Sequence, residues 1–263
     1  MKKCFSCLMR LLLSVMLIAA GWCAATLYQV WKPITNMTPD ISTPICSTNV
    51  RTGQVSETET APAESSPQIT LLDVPLLSQH PGFPTGCETA ALCMLLQYYG
   101  ADVTMGEIAD ALPKGPLPYE QDGGTYGANP EREFVGDPRD PDAFGVYEKP
   151  ICDTANCFLH GAVCEKGASL DRVKALLDAG KPVIAWFTTR IDLGIERGRS
   201  WIDWQTGEEI VWQTHEHAVV AVGYDDAVIY INDPNTGTQY AVAASDFAPP
   251  FEKIGGRIVY YST

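Results

Sequence analysis

Hydrophobic and polar positions divide the chain into three regimes. Leu11 to Trp31 is a run of 21 residues without a charge, and about 20 suffice to span a bilayer as a helix. Residues 32–68 are rich in Thr, Ser, Pro and Glu and show no hydrophobic period, so they read as a linker that buries too little to offset the cost of ordering it. Periodic segments begin near residue 69. Leu71 to Leu77 reads as a short strand, followed by a loop of breakers from Ser78 to Gly86. Ala90, Ala91, Met94, Leu95 and Tyr98 recur at helical spacing, Thr85 and Glu88 have the spacing of a capping box, and Gly100 supplies a stop. Glu107 to Leu112 reads as a second short helix. Residues 113–150 are rich in Pro, Gly and Asp, and so long a loop is expected to act as a lid or a groove wall. Leu170 to Leu177 reads as a helix capped by Ser169 and stopped at Gly180. The continuous apolar runs Val183–Phe187 and Ala218–Gly223 predict central strands. Between them, the polar stretch 192–214, with Trp201, Trp204 and Trp212, is expected to form a hairpin. Val228–Asn232 and Ile258–Tyr261 complete the set, with Asp225–Asp226 as a turn. Helices first and antiparallel strands later make an α+β fold.

The domain organisation that follows is a signal peptide or signal anchor over 1–31, a linker over 32–68 and one folded domain over 69–263. Lys2, Lys3 and Arg10 precede the apolar run, which is the layout of an export signal. With the positive flank inside, the remainder would lie outside the cytoplasmic membrane, anchored or released. Cys23-Ala24-Ala25 offers small residues for cleavage, and Ala20-Gly21-Trp22-Cys23 resembles a lipoprotein site loosely. The net charge is −14. An acidic domain repels phosphates, which excludes nucleic acid as a partner. Of nine cysteines, Cys4, Cys7 and Cys23 fall in the targeting segment. Among the rest, Cys152 and Cys157 are the expected disulfide in an oxidising compartment, with Cys164 competing for either.

Cys87 falls in the first turn of the predicted helix, where free N–H groups and the helix dipole favour a thiolate. His217 opens a predicted buried strand and Asp233 ends the next. Counting outward from Asp225–Asp226 sets His217 opposite Pro234, one residue from Asp233, with a bulge or an early strand end needed to bring the two together. An imidazole that takes the thiol proton and a carboxylate that fixes its tautomer are what a cysteine nucleophile requires. The competing reading makes His217 a satisfied strand-end histidine and Asp233 the start of a turn. His215 lies on the same face as His217 and is the rival base, or a rim residue. The two histidines lack a third ligand at useful spacing, so no metal or cofactor is expected. Gln79, eight residues before Cys87, carries an amide that would share an oxyanion site with the Cys87 N–H.

Val74-Pro75-Leu76-Leu77-Ser78-Gln79, Pro84-Thr85-Gly86-Cys87-Glu88, and Leu95-Leu96-Gln97-Tyr98-Tyr99-Gly100 together resemble the C39-like peptidase family. Phe134-Val135-Gly136-Asp137-Pro138, Gly145-Val146-Tyr147, Gly180-Lys181-Pro182-Val183-Ile184, the run His217 to Asp225, and Asn232-Asp233-Pro234 extend the resemblance over roughly residues 70–240. It implies a papain-like fold in which the helix bearing the nucleophile packs on an antiparallel sheet. It also implies Cys87 as nucleophile, His217 as base, Asp233 as orienting residue, Gln79 as oxyanion donor, and a peptide or protein substrate. An acyl transferase or transpeptidase with the same triad, and a peptide-binding module without turnover, are the alternatives.

Overall fold

The computed structural model describes residues 69–262. The predicted targeting segment and linker lie outside these residues, and among the described residues no helix is long and apolar enough to cross a membrane. In chain order the elements are β1 (Thr70–Leu71), α1 (Cys87–Tyr98), α2 (Met105–Ala111), β2 (Lys114–Gly115), β3 (Tyr119–Gln121), β4 (Gly124–Gly127), β5 (Phe134–Val135), α3 (Glu148–Phe158), β6 (Ala162–Glu165), α4 (Leu170–Asp178), β7 (Val183–Thr188), β8 (Glu196–Asp203), β9 (Glu209–Thr214), β10 (Glu216–Tyr224), β11 (Val228–Asp233), β12 (Thr238–Ala243), α5 (Ala244–Lys253) and β13 (Ile258–Tyr261). The fold is α+β, as the order of periodic segments predicts.

The main sheet runs β12-β11-β10-β7-β13-β6, with β1 paired to β10, and its pairs are antiparallel. Both of its faces are buried, which explains the unbroken apolar runs. Ile184, Trp186, Ala218, Val220, Val222, Val259 and Tyr261 pack toward α1, α2 and α3. Their alternate neighbours Val183, Ala185, Phe187, Val219, Ala221, Ile258 and Tyr260 pack toward α4 and α5. Phe187 stacks on Phe247 of α5 with ring centroids 4.6 Å apart.

Helix α1 is buried from Cys87 to Leu96. A helix apolar on all sides belongs inside a core, and each large side chain fully buried there contributes roughly 1.5–3 kcal/mol. Gly100, at φ 83°, turns the chain away, and the N–H groups of Gly100 and Ala101 close on the carbonyls of Gln97 and Leu96. At the other end the expected capping box is absent. Gly86 is the N-cap and no side chain caps the helix. Thr85 instead donates to the carbonyl of Asp140 at 2.9 Å, and Glu88 turns inward.

Three further expectations are corrected. Leu71–Leu77 contributes only the two-residue β1, because the chain leaves β10 after Leu72. Residues 113–150 are not one loop. They form β2 to β5, with a β3-β4 hairpin that continues into β8 and β9. Cys152 and Cys157 sit on helix α3 rather than in a loop. Five residues apart, they point about 140° from each other around the axis, and both are free thiols.

Candidate active site

The site forms where the β10–β11 ladder stops. The partners are Val220↔Asn232 and Ala221↔Ile231, and a bulge between Ala221 and Gly223 shifts the register from there to the turn. Simple counting from the turn misses that bulge. Beyond the last pair, the N–H of Ala218 has no β11 partner and donates to Cys87 Sγ at 3.5 Å. The neighbouring His217 donates from Nε2 to Asp233 Oδ1 at 2.7 Å. Nε2 is thereby committed to the carboxylate, which leaves Nδ1 free of it. The thiol, the imidazole and the carboxylate thus share one end of β10.

Asp233 is buried, which by itself would raise its pKa. The hydrogen bonds from His217, the Asn235 N–H and the Tyr240 hydroxyl prevail and hold it at about 2. It is therefore an anion fit to stabilise an imidazolium. Tyr240 comes from β12, an element absent from the sequence-based reading.

Gln79 is positioned by the same turn. Its N–H donates to the Pro234 carbonyl at 2.9 Å, and Asn232 Nδ2 holds the Val74 carbonyl at 3.1 Å. The Gln79 side chain is buried, donates from Nε2 to the Pro84 carbonyl at 3.0 Å, and keeps a second amide proton for another acceptor. Its Oε1 is buried without a partner among the described residues. Cys87 is the first residue of α1, so its own N–H is one of the helix-end donors that lack an intrahelical partner.

His215 lies apart from this arrangement. It joins β9 to β10 with φ 62°, its carbonyl accepts from the Thr189 N–H, and its ring makes no hydrogen bond among the described residues.

The expected depression of the Cys87 pKa is overturned. Burial first, then the charges of Glu88 and Glu216, push it well above its ordinary value. Cys87 Sγ donates to Glu88 Oε2 at 3.3 Å, and Glu88 Oε1 accepts from the Val146 N–H at 2.8 Å. Burial pushes the Glu88 carboxyl up to about 7. The donor atoms of Cys87, Glu88 and Glu216 lie within 4.8 Å of one another. Sequence reasoning missed Glu216, which stands beside His217 in a polar stretch, and misread Glu88 as a cap. A carboxylate inside an otherwise apolar helix was the available signal for the second.

Several known proteins share this architecture. The Peptidase_C39 like family matches residues 71–259. The uncharacterized protein YvpB of Bacillus subtilis (strain 168) is 32% identical over 192 residues, covering 72% of this chain and 74% of its own. A crystal structure from Bacillus anthracis, assigned as a C39-like peptidase, superposes with a TM-score of 0.65 at 26% identity. It covers 74% of this chain and 98% of its own. The resemblance read from the motifs and the papain-like fold are both found.

Proposed function

Because the chain belongs to the Peptidase_C39 like family, we propose that it is a cysteine peptidase that hydrolyses peptide or amide bonds through Cys87, His217 and Asp233. The observation that carries this reading is the 2.7 Å bond between His217 and Asp233 beside the Cys87 thiol. Hydrolysis proceeds in two halves. His217 Nδ1 takes the thiol proton as Sγ attacks the substrate carbonyl carbon, and the resulting oxyanion is held by the Cys87 N–H and the free Gln79 amide proton. The imidazolium gives its proton to the leaving amine, and the thioester remains. Water then attacks the thioester, His217 takes the water proton, and the carboxylate product leaves as the thiol is restored.

In the full chain, Cys87 is expected to be the thiol that a peptide-based electrophile modifies, since substrate binding and His217 together must offset its raised pKa, and His217→Ala should slow that modification sharply. Mass mapping that finds Cys93 or Cys164 modified first, with Cys87 inert, would sink the assignment.

The basic start and the apolar run of residues 11–31 support the further reading that the domain works outside the cytoplasmic membrane, anchored or released. Protease added to intact cells should then degrade or release it. Protection lost only on lysis speaks for the cytoplasm.

A further inference from the structure

The triad and oxyanion donors leave two acids beside the nucleophile without a task. Glu88 is fully buried, and its two oxygens are spent on the Cys87 thiol and the Val146 N–H. Glu216 reaches the same spot from β10, and its Oε1 is buried with no hydrogen-bond partner among the described residues. The wall opposite is Gly145. A Cβ there would lie 2.5 Å from Glu88 Oε1, 3.3 Å from Glu216 Oε2 and 3.1 Å from the Trp212 ring. Glycine at this position is what lets two carboxyl groups stand side by side.

Among the described residues no cation pairs with them directly. The nearby guanidinium, Arg257, is engaged by Glu131 at 2.6 Å and by Glu148 and stacks on Tyr147, 3.8 Å from the ring centroid. It acts on Glu216 only as a weaker, more distant charge. The other ionisable groups around the pair are Cys87 on α1, His217 on β10 and Tyr147 ahead of α3. Two carboxylates this close and this dry cannot both ionise without a large penalty.

We propose that Glu88 and Glu216 form a carboxyl pair that retains a proton, and that Glu88 uses it to set the ionisation of Cys87. While Glu88 keeps its proton, its neutral carboxyl lets the thiol pass its own proton to His217 and can donate its O–H to the sulfur left behind. Once Glu88 has lost its proton to solvent, its charge opposes that ionisation. Glu88 is on this view a positioning residue, and the proposal rests on the reading of Cys87 as nucleophile. Burial, which lifts Glu88 to about 7 and Glu216 well above its ordinary value, agrees with it.

The test is the pH dependence of Cys87 alkylation by iodoacetamide in the full chain. The wild type is compared with Glu88→Gln, Glu216→Gln and His217→Ala by mass mapping, after circular dichroism confirms folding. Glutamine at 88 stays neutral at every pH while keeping an N–H donor for sulfur and an oxygen for Val146. Glu88→Gln should match the wild type near about pH 5.5 and react at least about tenfold faster near about pH 8. Glu216→Gln removes the like charge, so Glu88 ionises at lower pH and the pH at which reactivity falls behind that of Glu88→Gln should move down. A ratio of Glu88→Gln to wild type that is constant across pH indicates packing alone and overturns the proposal. If Glu88→Gln fails to fold, an unshifted Glu216→Gln profile overturns it equally. Profiles altered by EDTA would put a cation in place of the proton and also overturn it. Cys87 labelling that depends on His217 but not on Glu88 ends this inference and leaves the peptidase reading standing. Cys87 inert in every variant ends both.

Discussion

His217 and His215 are two residues apart and differ in everything the chemistry requires. His217 has a carboxylate at 2.7 Å, and its neighbour's N–H donates to the Cys87 thiol. His215 sits in a left-handed link and offers only its carbonyl. Loss of a general base costs on the order of 10²–10⁴ in rate. His217→Ala is therefore expected to lose turnover on that scale and His215→Ala to keep most of it. Asp233→Ala should fall between, since that residue orients the base and moves no proton. Rates on a single peptide substrate check this, and an inactive His215→Ala beside an active His217→Ala would reverse the assignment. Cys87, His217, Asp233 and Gln79 could be named as candidates because the motifs that carry them stand in linear order. The Cys87 pKa was not legible. Helix position argues for a lowered value, but burial and two carboxylates outweigh it, and one of those comes from a strand more than a hundred residues away.

At the scale of elements, strong periods were read well and weak ones were not. Ile258–Tyr261 appears with the predicted bounds, and α4 with the predicted Ser169 cap. Helix α5 went unread because Pro249 and Pro250 lie inside it, and proline argues against a helix interior. Burial of Phe247, Pro250 and Phe251 overrides that preference. Helix α3 was hidden in the same way by Pro150 and by the composition around it. Its recognition changes the disulfide expectation. Cys157 points away, its thiol on the Asp153 carbonyl, whereas burial and the neighbouring Cys164 thiol push Cys152 up to about 12. Treatment with diamide, which accepts the two electrons and two protons, should link Cys152 to Cys164 of β6. Non-reducing peptide mapping that returns a Cys152–Cys157 bridge would contradict the helix.

For the molecule as a whole, the buried acids leave a signature in stability. The folded state holds the Glu88 proton more tightly than the unfolded chain does, since its pKa rises from 4.5 to about 7. Protons bound in excess by the folded state mean that stability falls as pH rises. This contribution is intact below about 4.5 and is lost by about 7, a difference of ~3 kcal/mol. Urea titrations of the wild type should show that decline, and Glu88→Gln should lessen it, leaving the part that Glu216 contributes. A parallel pH dependence in the two proteins would mean that Glu88 ionises normally. The acidity of the surface adds a separate, salt-screened slope common to both.

Strand β1 gives the domain a front and a back. It pairs Thr70 with Tyr224 and Leu71 with Gly223, at the far end of β10 from His217. Seven residues of strand separate Tyr224 from His217, roughly 23 Å at the usual rise. The first described residues therefore lie at the end of β10 away from Cys87 and His217. A domain cut to begin at residue 69 and fixed to a bead through that residue would be held by the end opposite Cys87, leaving the thiol free to meet a large polypeptide.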